Sequence, residues 1–151
     1  MTDSALSRSM LFVCGRNAVR SPVAERLARH LLPPSIFIAS AGVQLGEADP
    51  FVDVILAEEG FEPQERRSRT LDELEDDYFD LIVTLSPEAH HAALDMTRTL
   101  ASDVEYWPTV DPTATQGSRE QVLDAYRDMR DRLKSRIRER FGLETGRIGN
   151  E

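Results

Sequence analysis

The chain has 151 residues, 40% of them hydrophobic, with 18 basic and 27 acidic side chains for a net charge of −9; that suits one globular domain over 1–151, its core at about 9–142 between loose termini. Such acidity argues against nucleic acid and anionic membrane as partners, and no apolar run approaches the roughly 20 residues that cross a bilayer. The one cysteine excludes an internal disulfide framework and a CxxC pair, and with no signal-peptide pattern at the N-terminus the expected compartment is the cytoplasm.

Met10 to Val13 is a short apolar run that reads as a buried strand. Cys14 to Arg20 follows as a glycine-containing loop, and Ser21-Pro22 predicts a helix with Ser21 as N-cap and Pro22 at its first position. Val23, Leu27 and Leu31 give that helix an inward face, and Pro33-Pro34 end it. Ile36 to Ile38 reads as a second strand running into Ser40-Ala41-Gly42. Asp49-Pro50 caps a second helix that buries Val52, Ile55 and Leu56 and ends at Gly60. Thr70 and Glu73 suggest a capping box on a short helix, Leu81 to Thr84 a third strand, and Ser86-Pro87 the start of the helix after it. Val104 to Tyr106 is a fourth strand. After the Pro-rich loop 107–117, Ser118 and Gln121 box the start of a last helix, with Leu123, Tyr126, Leu133, Ile137 and Phe141 on one face. Strands alternating with helices predict an α/β fold with a parallel sheet covered on both sides. Ligands of such sheets sit beyond the C-terminal ends of the strands, where the Cys14 segment and a loop carrying Ser40 are expected, joined by the loop from Trp107.

The chemistry concentrates in Cys14-Gly15-Arg16-Asn17-Ala18-Val19-Arg20-Ser21. A loop between a buried strand and a helix N-terminus turns backbone N–H groups and the positive end of a dipole toward one point, which favours a dianion and the thiolate form of a cysteine. Arg20 brings a planar fork able to grip two oxygens of a phosphoryl group. Gly15 permits close approach of the backbone, Asn17 tolerates a left-handed conformation, and the Ser21 hydroxyl can reach the sulfur. A lone cysteine after a strand is also a common small core residue, and Cys-x5-Arg spacing arises by chance, so the segment's context carries the argument. Asp111-Pro112 has two readings as well: a turn or cap like the Pro pairs at 21, 49 and 86, or an acid on a loop after the last strand. The adjacent His90 and His91 make a poor metal set and read as solvated helix residues. Glu73, Glu75, Asp76 and Asp77 read as an exposed acidic turn, and Arg66, Arg67 and Arg69 as a basic patch, either ordinary surface or one that steers a phosphate toward the site.

Leu11 to Glu25, with Ser40-Ala41-Gly42, Asp80 to Val83 and Asp111-Pro112, strongly resembles the low-molecular-weight protein tyrosine phosphatases and their arsenate-reductase relatives. The resemblance covers nearly the whole chain and implies a three-layer α/β/α fold around a four-stranded parallel sheet. It also implies a phosphomonoester hydrolase without metal or other cofactor. Cys14 attacks phosphorus to form a phosphocysteine, Asp111 serves as general acid and then base, and residues 15–21 with Arg20 cradle the phosphate. Asn17, Ser21 and Ser40 hold the cradle in shape. The implied partner is a phosphorylated protein or small phosphomonoester, with the enzyme a monomer or weak homodimer. Alternatives are an arsenate reductase using an external small thiol and a catalytically silent phosphate- or phosphopeptide-binding module.

Three departures from the family stand out. Gly15-Arg16 replaces a larger apolar residue followed by glycine, and the extra cation suggests an acidic substrate or a second phosphate. Val19 stands where many members carry a second, protective cysteine. Thr113-Ala114 and Leu45-Gly46 lack the aromatics expected around a phenyl ring, leaving Trp107 as a candidate wall.

Overall fold

The computed structural model describes residues 9–64, 68–74, 78–98 and 101–143. Four strands, β1 (Ser9–Cys14), β2 (Phe37–Gly42), β3 (Leu81–Thr84) and β4 (Asp103–Tyr106), pair entirely in parallel in the order β2-β1-β3-β4. Helices α1 (Arg20–Leu31), α2 (Pro50–Ala57), α3 (Pro87–Met96) and α4 (Arg119–Arg140) connect and cover them. None of the described helices is long and apolar enough to cross a membrane.

Side chains alternate across the central strand, and the alternation sorts the core. Met10, Phe12 and Cys14 join Ile38, Leu81 and Val83 on the face covered by α1, α2 and α4; Leu11 and Val13 join Ala39, Ala41 and Ile82 on the face covered by α3. Both faces are buried, so β1 reads as a continuous apolar run rather than an alternating one. Cys14 ends β1 on the α1 side, at the point where the chain, having placed β2 on one flank of β1, places β3 on the other. The crevice of an open α/β sheet forms at such a switch point.

The local signals at helix starts hold at three places. Asp49 accepts from the Phe51 N–H and Ser86 from the Ala89 N–H, and Ser118 and Gln121 close a reciprocal box. Ser21 differs: α1 begins two residues earlier than expected, with Val19 at its cap position and no side-chain cap, because the Ser21 hydroxyl is turned to the sulfur instead. Thr70 and Glu73 form a 3-10 turn over Leu71–Leu74, in which the Thr70 backbone carbonyl accepts from the Glu73 N–H. Ser40 lies inside β2, paired with Phe12, rather than on a loop. His90 is not simply solvated. Its Nδ1 meets Thr84 Oγ1 at 2.9 Å and its ring stacks on Tyr106 at 4.8 Å, whereas His91 is exposed. Glu75, Asp76, Asp77, Arg66, Arg67 and the two terminal segments, 1–8 and 144–151, lie outside the described residues.

On α4, Leu123, Tyr126, Leu133 and Ile137 are buried as the periodicity requires, and Arg130 is buried with them. Arg130 donates to the Ile55 carbonyl and to Glu58, tying α4 to α2. Arg127 adds a two-pronged contact to the same carboxylate. Hydrogen bonds from Arg127 and then Arg130 hold Glu58 below the usual carboxylate range. Nearby, the Tyr126 hydroxyl donates to Asp49 at 2.6 Å, and burial, reinforced by that carboxylate, pushes the phenol well above its ordinary value.

Candidate active site

Asn17 organises the loop between β1 and α1. It has φ +54°, among the described residues the one non-glycine in the left-handed region, and its side chain is fully buried. A positive φ costs most residues about 1 kcal/mol or more, less for Asn, whose short amide can bond locally. Here the amide Nδ2 donates to Ser21 Oγ at 2.9 Å and to Ser40 Oγ at 3.0 Å, while Oδ1 accepts from the Arg69 N–H at 3.0 Å. The Asn17 backbone N–H donates to Cys14 Sγ at 3.3 Å.

Cys14 is buried, 2% exposed, as a core cysteine would be, but its surroundings are polar. Ser21 Oγ lies 2.9 Å from the sulfur, with either atom able to donate. The backbone N–H groups of Arg16, Ala18 and Val19 donate to no acceptor among the described residues. Free N–H groups on a loop that leads into a helix N-terminus form an anion cradle. The side chains of Ala18 and Val19 face the other way, toward the core.

The network continues inward. The Ser40 hydroxyl donates to Glu25 Oε1 at 2.5 Å, and Glu25 pairs with Arg29 at 2.9 Å. A buried carboxylate on α1 is thus linked through Ser40, Asn17 and Ser21 to the sulfur, four side chains from three different elements. Glu25 received no role from the sequence, although an acid four residues after Ser21, on a helix whose other inward positions from Pro22 onward are apolar, is a readable anomaly.

Arg20 leans over the loop from the first turn of α1. Its Nη1 donates to the Thr109 carbonyl at 3.1 Å and its Nη2 stands 3.8 Å from Asp111 Oδ2. The Asp111 carboxylate faces two ways. Oδ1 caps the turn Pro112–Ala114 by accepting from the Thr113 N–H and hydroxyl, while Oδ2 faces Arg20. Asp111 is 45% exposed, Arg20 only 14%, so the acid sits at the mouth and the cation within it.

Gly42 closes the loop from behind. A Cβ there would come within 2.7 Å of the Arg16 carbonyl carbon, the Asn17 nitrogen and the Gln44 oxygen, so only glycine lets β2 approach. Arg16 folds back on this side, donating to the Leu45 carbonyl at 3.2 Å. On the loop's other side Glu88, in the first turn of α3, places Oε2 2.9 Å from where a Gly15 Cβ would be. Trp107 is only 2% exposed, packed edge-on against Phe12, and cannot serve as a wall for a bound ring. The exposed large apolar side chains on the surrounding loops are Leu45 and Val110. A cavity of about 1040 Å³ lies beside the loop, with Ala18, Glu25, Asp49 and Arg69 in its walls and without Cys14, Arg20 or Asp111. An oxyanion needs a cradle of donors more than a deep apolar cleft, so the loop rather than this cavity is the candidate site.

The sequence is similar, at 30% identity over 84% of this chain and 90% of the relative, to an arsenate reductase of Halalkalibacterium halodurans. An arsenate reductase structure from Archaeoglobus fulgidus superposes with a TM-score of 0.68 at 30% identity, over 88% of this chain and 98% of that one. The fold also matches the tyrosine phosphatase Wzb of Escherichia coli K30, solved with sulphate, with a TM-score of 0.75 at 21% identity over 91% and 98% of the two chains. Residues 9–143 match the profile of the low molecular weight phosphotyrosine protein phosphatases, and with the strand–loop–helix cradle just described in that span, the chain belongs to this family.

Proposed function

We propose that the protein is a phosphomonoester hydrolase of the protein tyrosine phosphatase type. The observation that carries this reading is Asp111 Oδ2 facing Arg20 Nη2 across the mouth of the Cys14 loop. An acid there can reach the leaving oxygen of a phosphoryl group gripped by the guanidinium. Cys14 Sγ forms the S–P bond as the P–O bond breaks, and the departing oxygen takes a proton from Asp111. Water then attacks phosphorus, its proton returning to Asp111, and the S–P bond breaks to release inorganic phosphate and the thiolate. The free N–H groups of Arg16, Ala18 and Val19, with Arg20, bind the equatorial oxygens. Asn17, Ser21 and Ser40 are positioning residues, and a cytoplasmic phosphorylated protein or small phosphomonoester is the proposed partner.

A second reading, arsenate reduction, is favoured by relatives named for that activity. Cys14 would bond to arsenic with loss of water; an external thiol would attack the sulfur, giving a mixed disulfide as arsenite leaves with the electron pair. Cys14 is the chain's one cysteine, so each turnover needs two external thiols, whereas the hydrolytic cycle closes with water. The test is p-nitrophenyl phosphate hydrolysis in EDTA by wild type and Cys14→Ser, with thiol-dependent arsenate reduction measured beside it. Hydrolysis abolished in Cys14→Ser is expected; arsenate reduction without hydrolysis would overturn the hydrolase reading.

A further inference from the structure

We infer that Glu88 is a specificity residue, selecting phosphomonoesters whose leaving group carries a cationic nitrogen close to the phosphoryl oxygen. The inference rests on the phosphate-site reading above but not on turnover. The residue directly after the nucleophile is Gly15, which puts no side chain on that flank of the loop. The freed space is taken by charge: Glu88 Oε2 lies 2.9 Å, and Arg20 Nη2 3.8 Å, from the point a Gly15 Cβ would occupy. The same Nη2 is 3.8 Å from Asp111 Oδ2, so a phosphoryl group held by Arg20 has a carboxylate on each flank. Asp111 Oδ1 is engaged in its turn, whereas Glu88 makes no hydrogen bond or ion pair among the described residues.

A free carboxylate at the rim repels an acidic leaving group and attracts a cationic one. Arg16, which the sequence suggested would favour acidic substrates, does not offset this. It leans to the β2 side, on the Leu45 carbonyl, while Glu88 comes from the β3 side. Helix position alone explains an acid in the first turn of α3, but not its carboxylate in the side-chain place of a residue next to the nucleophile.

The test uses two phosphate esters of equal length whose phosphate groups are both doubly ionised at pH 8, 2-aminoethyl phosphate, which also carries an ammonium group, and propyl phosphate. Binding to the Cys14→Ser protein, which cannot turn them over by the proposed route, is measured by calorimetry, with inorganic phosphate as reference. The amino ester is expected to bind about fivefold more tightly, as for a charge pair about 4 Å apart in near-aqueous surroundings. Adding Glu88→Gln should abolish the preference, and so should adding Gly15→Ala, whose methyl would displace the intact carboxylate. Equal binding of the two esters, or a preference that survives Glu88→Gln, overturns the assignment. Binding of neither ester nor phosphate would sink the phosphate-site reading itself, and the assignment with it.

Discussion

Asn17 is the residue on which the geometry of the loop depends most, and replacing it gives a quantitative test. Asn17→Ala removes three hydrogen bonds, to Ser21, Ser40 and the Arg69 N–H, each worth about 1 kcal/mol net. It also places alanine at φ +54°, costing about 1 kcal/mol more. Ser40 keeps its bond to Glu25, so it is not orphaned, and the expected loss is about 4 kcal/mol. For a chain of this size that lowers Tm by roughly 8–16 °C. Asn17→Gly loses the same bonds without the φ penalty and should be about 1 kcal/mol more stable than the alanine variant. Urea unfolding gives both stabilities, and phosphate titration reports whether the cradle persists. A loss under about 1 kcal/mol for Asn17→Ala, or no advantage for glycine, would refute the claim that the buried amide and its backbone reversal hold the loop.

Gly42→Ala drives a methyl against three backbone atoms of the loop and its neighbour. It should cost about 1–3 kcal/mol and weaken phosphate binding; unchanged binding would contradict the close approach. Arg20→Lys loses the fork that spans Thr109 and the Asp111 side of the mouth, and should weaken phosphate binding at least about tenfold with little change in the urea midpoint. Asp111→Asn should lower hydrolysis of p-nitrophenyl phosphate by about 10²–10⁴-fold while inorganic phosphate still binds; full turnover would remove Asp111 from the reaction. Because Glu58 is held below its ordinary value by Arg127 and Arg130, its contribution is present above the unfolded carboxylate pKa. It is lost as pH falls through the lower folded value. The urea midpoint should therefore drop on acidification below about pH 4.3, and by less in Glu58→Gln. The effect is modest because the carboxylate is partly solvated.

What the sequence determined by itself is local. The helix starts at Asp49, Ser86 and Ser118 were legible because a cap is a contact between residues two or three apart. The strand, the Cys14 loop and the helix after it were legible because burial and punctuation follow one another along the chain. Ser21 misled at that same scale. A Ser-Pro pair signals a cap, and a sulfur that meets the hydroxyl only after the loop has closed outranked it. The tertiary structure decided everything that crosses the sheet. Glu25 reaches the sulfur's network only because β2 lies beside β1 and turns Ser40 to the α1 face. Trp107 enters the core because β4 ends against β3 with Phe12 beyond it, which keeps its ring from the mouth. Arg20 finds the Thr109 carbonyl 89 residues away, and Glu88 finds the empty side of Gly15, because β3 flanks β1 on the side opposite β2. Contacts at such separations depend on strand order, which local propensity does not encode.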